Sequence, residues 1–173
     1  GASTGGPSAL QTILTGLPKD FPVPLLIVQH IANGFIDGLA SWLGQSTGFA
    51  VHIAQDRESL RPGHAYLAPD EFQMGVGYKH QILLSTDQPE YGTRPSVSYL
   101  FRSVTQIFGE QVIGVILTGM GRDGSLELGH MQASGATTIA QDEESAIVHG
   151  MAGEAIRLNA ATCVRPLDQI ATT

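Results

Sequence analysis

Val112-Ile113-Gly114-Val115-Ile116-Leu117-Thr118-Gly119-Met120-Gly121-Arg122-Asp123-Gly124 is the stretch from which the fold is read. Its first six residues carry no polar side chain and are mostly β-branched. That composition suits a strand covered on both faces, as in a parallel sheet between helices. Three glycines then surround Met120 and Asp123, a backbone able to turn sharply or to be approached closely. A helix carrying Leu126 and Met131 follows. Strand, loop and helix make one unit of an α/β architecture.

The same alternation extends in both directions. Toward the end of the chain, residues 136–141 predict a strand, residues 151–158 a helix, and Cys163-Val164-Arg165 a last short strand. Toward the beginning, Val97, Leu100, Phe101, Val104 and Phe108 share one face of a helix over residues 96–108, with Ser96 as N-cap. Residues 63–68, 73–76 and 81–85 are short strand-like segments between turn residues, and predict hairpins. Earlier still, residues 24–30 form a continuous apolar strand. A helix with Ile36, Leu39, Ala40 and Leu43 on one side and a brief strand over residues 51–54 follow. Near the start, Pro7 suits a first helical turn, where its missing N–H costs nothing. Leu10, Ile13, Leu14 and Leu17 then recur at helical spacing until Gly16 and Pro18. The prediction is one α/β domain over residues 1–173, with an open, mainly parallel, doubly wound sheet, helices on both faces and a β-hairpin insert. Residue 1 already lies in a loop, so its delivering strand is expected upstream, or else the loop is a loose terminus.

Composition narrows the function. Of 173 residues, 42% are hydrophobic and 14% charged, enough apolar surface for a real core and too little charge for a disordered chain. The net charge is −7, with Lys19 and Lys79 the only lysines, a poor match to nucleic acid or anionic lipid. No apolar run reaches the roughly 18–20 residues of a membrane span, and no secretory signal pattern is read. Cys163 is the sole cysteine, which excludes an internal disulfide and a cysteine zinc cluster and points to a reducing, cytoplasmic setting.

Three predicted strand ends carry reactive side chains. Gly1-Ala2-Ser3-Thr4-Gly5 matches G-x-S-x-G, in which glycines permit a sharp turn that lifts a serine hydroxyl from the sheet. The helix beginning near Pro7 would aim free N–H groups at the same spot. A serine nucleophile needs a base and an orienting carboxylate. Among six histidines, His30 stands at the carboxyl end of a buried strand, where such folds place their sites. Asp123 is the carboxylate candidate, with Asp142 second; the ordinary alternative is that Asp123 caps the helix after it. A nucleotide site fares worse: no Tyr is followed four residues later by Lys, and there is no Walker-type Gly-Lys-Ser/Thr. No cofactor and no metal are expected, since the histidines show neither H-x-H nor H-E-x-x-H spacing.

Taken together, these segments resemble the CheB-type chemotaxis receptor methylesterases. The residues that carry the resemblance are Gly1-Ala2-Ser3-Thr4-Gly5-Gly6-Pro7, Gln29-His30 with Gly34-Phe35, Tyr66-Leu67-Ala68-Pro69, Arg94-Pro95-Ser96-Val97, residues 117–124, and Ala140-Gln141-Asp142 with Gly150-Met151. The resemblance implies a three-layer α/β/α serine hydrolase that demethylates glutamyl methyl esters on cytoplasmic helices of chemoreceptors and deamidates certain receptor glutamines. It implies Ser3 as nucleophile, His30 as general base and acid, Asp123 as orienting carboxylate, and oxyanion donors in the N–H groups near Thr4 and Met120. Departures are Ile31-Ala32 for Met-Pro, Ser98 for Asp, and Ala152 for Pro. The family also has an N-terminal receiver domain, so this stretch is an excerpt of a longer regulator, part of a methyltransferase fusion, or a stand-alone enzyme. The alternative from another class is a catalytically silent module of the same fold that docks on receptor helices.

Overall fold

The computed structural model describes residues 1–173. In chain order the elements are α1 (Gly6–Gly16), β1 (Leu25–Ile27), α2 (Ile36–Thr47), β2 (Ala50–Ile53), β3 (His64–Leu67), β4 (Gln73–Val76), β5 (Ile82–Ser85), α3 (Val97–Phe108), β6 (Ile113–Ile116), α4 (Ser125–Ala133), β7 (Thr137–Gln141), α5 (Met151–Arg157), β8 (Cys163–Arg165) and α6 (Leu167–Ile170). The strands form two parallel groups, ordered β1-β3-β2 and β6-β7-β8, and one antiparallel pair, β4-β5.

Residues 1–3 join the two parallel groups. The Gly1 amino nitrogen donates to the Val115 carbonyl at 2.8 Å, and Leu117 N–H donates back to Gly1 at 2.9 Å. On the other side Ala2 N–H donates to Val28 at 3.0 Å, and His30 N–H donates to Ala2 at 2.9 Å. Gly1 to Ser3 therefore run as a central extended segment between the continuations of β1 and β6, parallel to β1. The expectation of a loose terminus is corrected: every backbone group of Gly1 and Ala2 that a sheet would use is bonded.

Alternation along the strands sorts side chains into two cores. Ala65 and Leu67 of β3, with Leu117 and Ile139, face a cluster that includes Leu10 and Leu14 of α1, Leu39 and Leu43 of α2, and Ile170 of α6. Tyr66, Ile116 and Ala140 face the other way, toward Leu100 and Val104 of α3, Leu128 and Met131 of α4, and Ala155 of α5. The sheet is thus the middle of three layers, as read from the sequence. One segment differs. Residues 63–68 do not belong to a hairpin; β3 lies between β1 and β2 and is parallel to both. The reason is pairing: both edges of β3 are taken by parallel partners, and parallel neighbours cannot be joined by a tight hairpin turn. The hairpin insert is β4-β5 alone.

Leu128 tests this layering. It is fully buried in α4 against the sheet, so Leu128→Ala removes its transfer energy and leaves a cavity. The expected cost is about 2–5 kcal/mol of unfolding free energy, read as a lower urea midpoint at constant slope.

Candidate active site

The sheet changes direction around its central segment. From residues 1–3 the chain moves outward to β1 and β2, then returns to the other side at β6 and continues to β8. The carboxyl end of that segment is a topological switch point, where open α/β sheets form their crevice. Ser3 stands there. Ala2 pairs in parallel with Gln29, a register that sets Ser3 beside His30. Ser3 N–H donates to Thr118 at 3.0 Å on the opposite flank. Immediately after it α1 begins, and Gly6 N–H donates to the Ser3 carbonyl at 2.8 Å. The positive end of the α1 dipole therefore starts next to the serine.

His30 Nε2 lies 2.9 Å from Asp123 Oδ2, a contact across 93 residues of sequence. Both side chains are largely covered, at 13% and 4% exposure. Asp123 does not cap α4, which has Gly124 as N-cap and no side-chain cap bond. It caps a different helix. Val97 N–H donates to Oδ2 at 2.7 Å and Ser98 N–H to Oδ1 at 2.9 Å, and these are first-turn groups of α3 that have no partner within the helix. Burial pushes the Asp123 carboxyl up, but the hydrogen bonds from His30 and from the Ser98 and Val97 N–H groups outweigh it and hold the group below the ordinary carboxylate value. An ionised carboxylate only accepts, so the ring nitrogen that faces it, Nε2, carries a proton, and Nδ1 points away from Asp123.

The Ser3 hydroxyl makes no hydrogen bond in this structure, to His30 or to any other group. Such contacts are often long without substrate and tighten in the complex. Its neighbours are closely fitted: a Cβ on Gly119 would come within 2.6 Å of both Ser3 Cβ and Met151 Sδ, so only glycine lets the β6 loop pass this near. Thr4 is exposed and Met120 is 71% exposed, and neither backbone N–H has an acceptor in the protein. Their peptides are nonetheless held. The peptide that carries the Thr4 N–H is held through the Ser3 carbonyl, which accepts from Gly6 N–H and Gln29 Nε2 at 2.8 Å each; the next peptide is held by the Thr118 hydroxyl, which donates to the Thr4 carbonyl at 2.9 Å and accepts from Val148 N–H at 2.9 Å. The Gly119 carbonyl accepts from Gly150 at 3.1 Å and Met151 at 2.9 Å.

Other candidates have other work. Asp142 accepts from Ser145 N–H and Oγ at 3.0 and 2.6 Å, shaping its own turn. His52 sits edge-on to Tyr66 and within 3.3 Å of Glu58, and His80 packs on Phe108. No three His, Cys, Asp or Glu side chains gather as metal ligands would. Several contributors were not singled out from sequence: Gln29, Thr118 and the Val97 and Ser98 N–H groups. Gln29 had a legible signal, a polar residue at the end of an otherwise apolar run. The N–H groups had none, because backbone donors look alike in every sequence.

The family model described as CheB methylesterase matches residues 1–173. A protein-glutamate methylesterase/protein-glutamine glutaminase of Nitrosospira multiformis is 57% identical over 171 residues, covering 99% of this chain and 48% of that protein. One of Geobacter metallireducens, with the number 4 in its name, is 57% identical over 173 residues, covering 99% of this chain and 50% of that one. Among solved structures, the Thermotoga maritima CheB methylesterase catalytic domain superposes with a TM-score of 0.95 at 35% identity, covering 99% of this chain and 92% of that one. The chain spans about half the length of the curated relatives it matches.

Proposed function

Because the chain belongs to the CheB methylesterase family, we propose that residues 1–173 form the catalytic domain of a serine esterase acting on glutamyl methyl esters of chemoreceptors, with Ser3, His30 and Asp123 as its triad. The observation that carries the reading is the 2.9 Å contact between His30 Nε2 and Asp123 Oδ2, beside Ser3 at the sheet's switch point.

The reaction follows from the arrangement. Ser3 Oγ attacks the ester carbonyl carbon while its proton passes to His30 Nδ1. The imidazolium that forms is stabilised by Asp123. The carbonyl oxygen becomes an oxyanion within reach of the unpaired N–H groups of Thr4 and Met120, and each such donor is worth about 10²–10³ in rate. Collapse breaks the bond to the methoxy oxygen, which takes the His30 proton and leaves as methanol. Water then attacks the acyl-enzyme by the same route, giving a glutamate carboxylate and free Ser3. With a glutamine substrate the leaving group is ammonia, and the product is the same carboxylate. The substrate would be presented by cytoplasmic receptor helices, which assigns the protein to the cytoplasm; no helix of the structure is long and apolar enough to cross a membrane.

A fluorophosphonate separates this reading from that of a silent docking module. The expected result is one adduct, on Ser3 by peptide mass, with labelling blocked in His30→Gln. A folded protein with no adduct would overturn the esterase reading.

A further inference from the structure

Gln29 is the residue after Val28 at the end of the β1 extension, and its side chain is buried, at 3% exposure for the residue. Its carboxamide nitrogen has two hydrogens. One is donated to the Ser3 carbonyl at 2.8 Å and the other to the His30 carbonyl, also at 2.8 Å. We propose that Gln29 is a positioning residue whose single carboxamide ties the backbone of Ser3 to the backbone of His30 and sets the distance between hydroxyl and imidazole. The proposal rests on the esterase reading of Ser3 and His30.

The orientation of the amide follows from its surroundings. Oε1 is buried and has no hydrogen-bond donor. It lies against Gly6, where a Cβ would come within 1.9 Å of it. Reversing the amide would turn an acceptor toward two carbonyl oxygens, so the observed arrangement is the only one that satisfies them. An unpartnered buried acceptor is unfavourable, and an apolar side chain of equal length would avoid it while filling the same space. What the carboxamide adds is the pair of donated bonds, both ending on residues of the proposed proton-transfer pair. Backbone bonding between the two segments stops short of Ser3. His30 N–H reaches Ala2 rather than Ser3, and the regular pairing of Gly1 to Ser3 with the β1 extension ends at that bond. Gln29 closes the next link, and Gly6 N–H takes the second lone pair of the Ser3 carbonyl.

The side chain is enclosed beneath the Ser3 and His30 backbones, so its loss should act on the chemical step and leave binding alone. A misplacement of about 1 Å between reacting groups costs on the order of 10² in rate. Gln29→Met, similar in length but without donors, is expected to lower kcat on methylated receptor about 10²-fold. KM should stay within about twofold, and the rate of fluorophosphonate labelling at Ser3 should fall by the same factor as kcat. Gln29→Asn keeps the amide but is one methylene short of spanning both carbonyls, and should behave alike. If packing were its only contribution, Met would support wild-type kcat. A cooperatively folded Met or Asn variant with wild-type kcat and labelling rate would overturn the proposal. A separate readout does not depend on activity: in the wild-type protein both Gln29 carboxamide protons should exchange slowly with solvent by NMR. Fast exchange would overturn the proposal by itself, whereas an unreactive Ser3 in the wild type with slow exchange would overturn the esterase reading and, through it, the proposal, leaving only the amide geometry standing.

Discussion

Ser3→Ala is expected to lower kcat for methanol release by about 10⁶-fold, the scale seen when a triad nucleophile is removed. A residual rate of roughly 10³–10⁴ over water should persist, because oxyanion donors and substrate binding do not depend on the hydroxyl. The change should be silent in stability. Ser3 holds its place through backbone bonds, with N–H to Thr118 and a carbonyl that receives Gly6 and Gln29, while its hydroxyl bonds nothing. Thermal unfolding of the variant should therefore match the wild type. Methanol release from methylated receptor measures the first quantity, and calorimetry the second. Full activity in the alanine variant would end the serine mechanism.

Asp123→Asn should lower kcat by about 10⁴-fold for a different reason. The asparagine amide can donate to His30 Nε2, which then keeps its lone pair toward residue 123 and carries the proton on Nδ1. The base would face the serine in the wrong tautomer. Unlike Ser3→Ala, this substitution should also cost stability, because one end of the amide must face the Val97 or Ser98 N–H that the carboxylate now accepts. Leaving such a buried group unsatisfied costs about 1–3 kcal/mol. The pH dependence separates the two effects. The folded Asp123 carboxyl titrates below its ordinary value, so the unfolded chain binds more protons in the window between the two. The stabilisation is fully present above the ordinary aspartate range, near pH 3.9, and is lost as pH falls through the lower, folded pKa. Urea unfolding of the wild type should weaken across that acid window, and Asp123→Asn should remove this part of the slope. An unchanged slope would mean that the buried carboxylate is not the group responsible.

How far the site could be read in advance differs from residue to residue. Ser3 was legible because glycines bracket it in a recognisable loop, and His30 because it ends an apolar run. Asp123 is legible as the candidate carboxylate, but not in its bonds to the first turn of α3. The ordinary alternative, a cap on α4, is not what the structure shows; the carboxylate also serves α3, whose first turn is 26 residues earlier at Val97. Capping preference is a property of a side chain and any nearby helix end, and nearness in space is not nearness in sequence. The hairpin expected at residues 63–68 fails for a similar reason. The residues of β3 look like any short strand, and only the placement of β1 and β2 on its two edges makes it parallel.

Periodicity, glycine placement and apolar runs by themselves determined the alternation of strands and helices, the layering and the three candidate side chains, because each depends on a residue and its close neighbours along the chain. Tertiary structure alone decided which carboxylate oxygen meets the imidazole, which ring nitrogen faces it, and that a buried amide spans the serine and histidine backbones. Those are matters of a few tenths of an ångström between segments far apart in sequence. They arise only once packing brings the strand ends together.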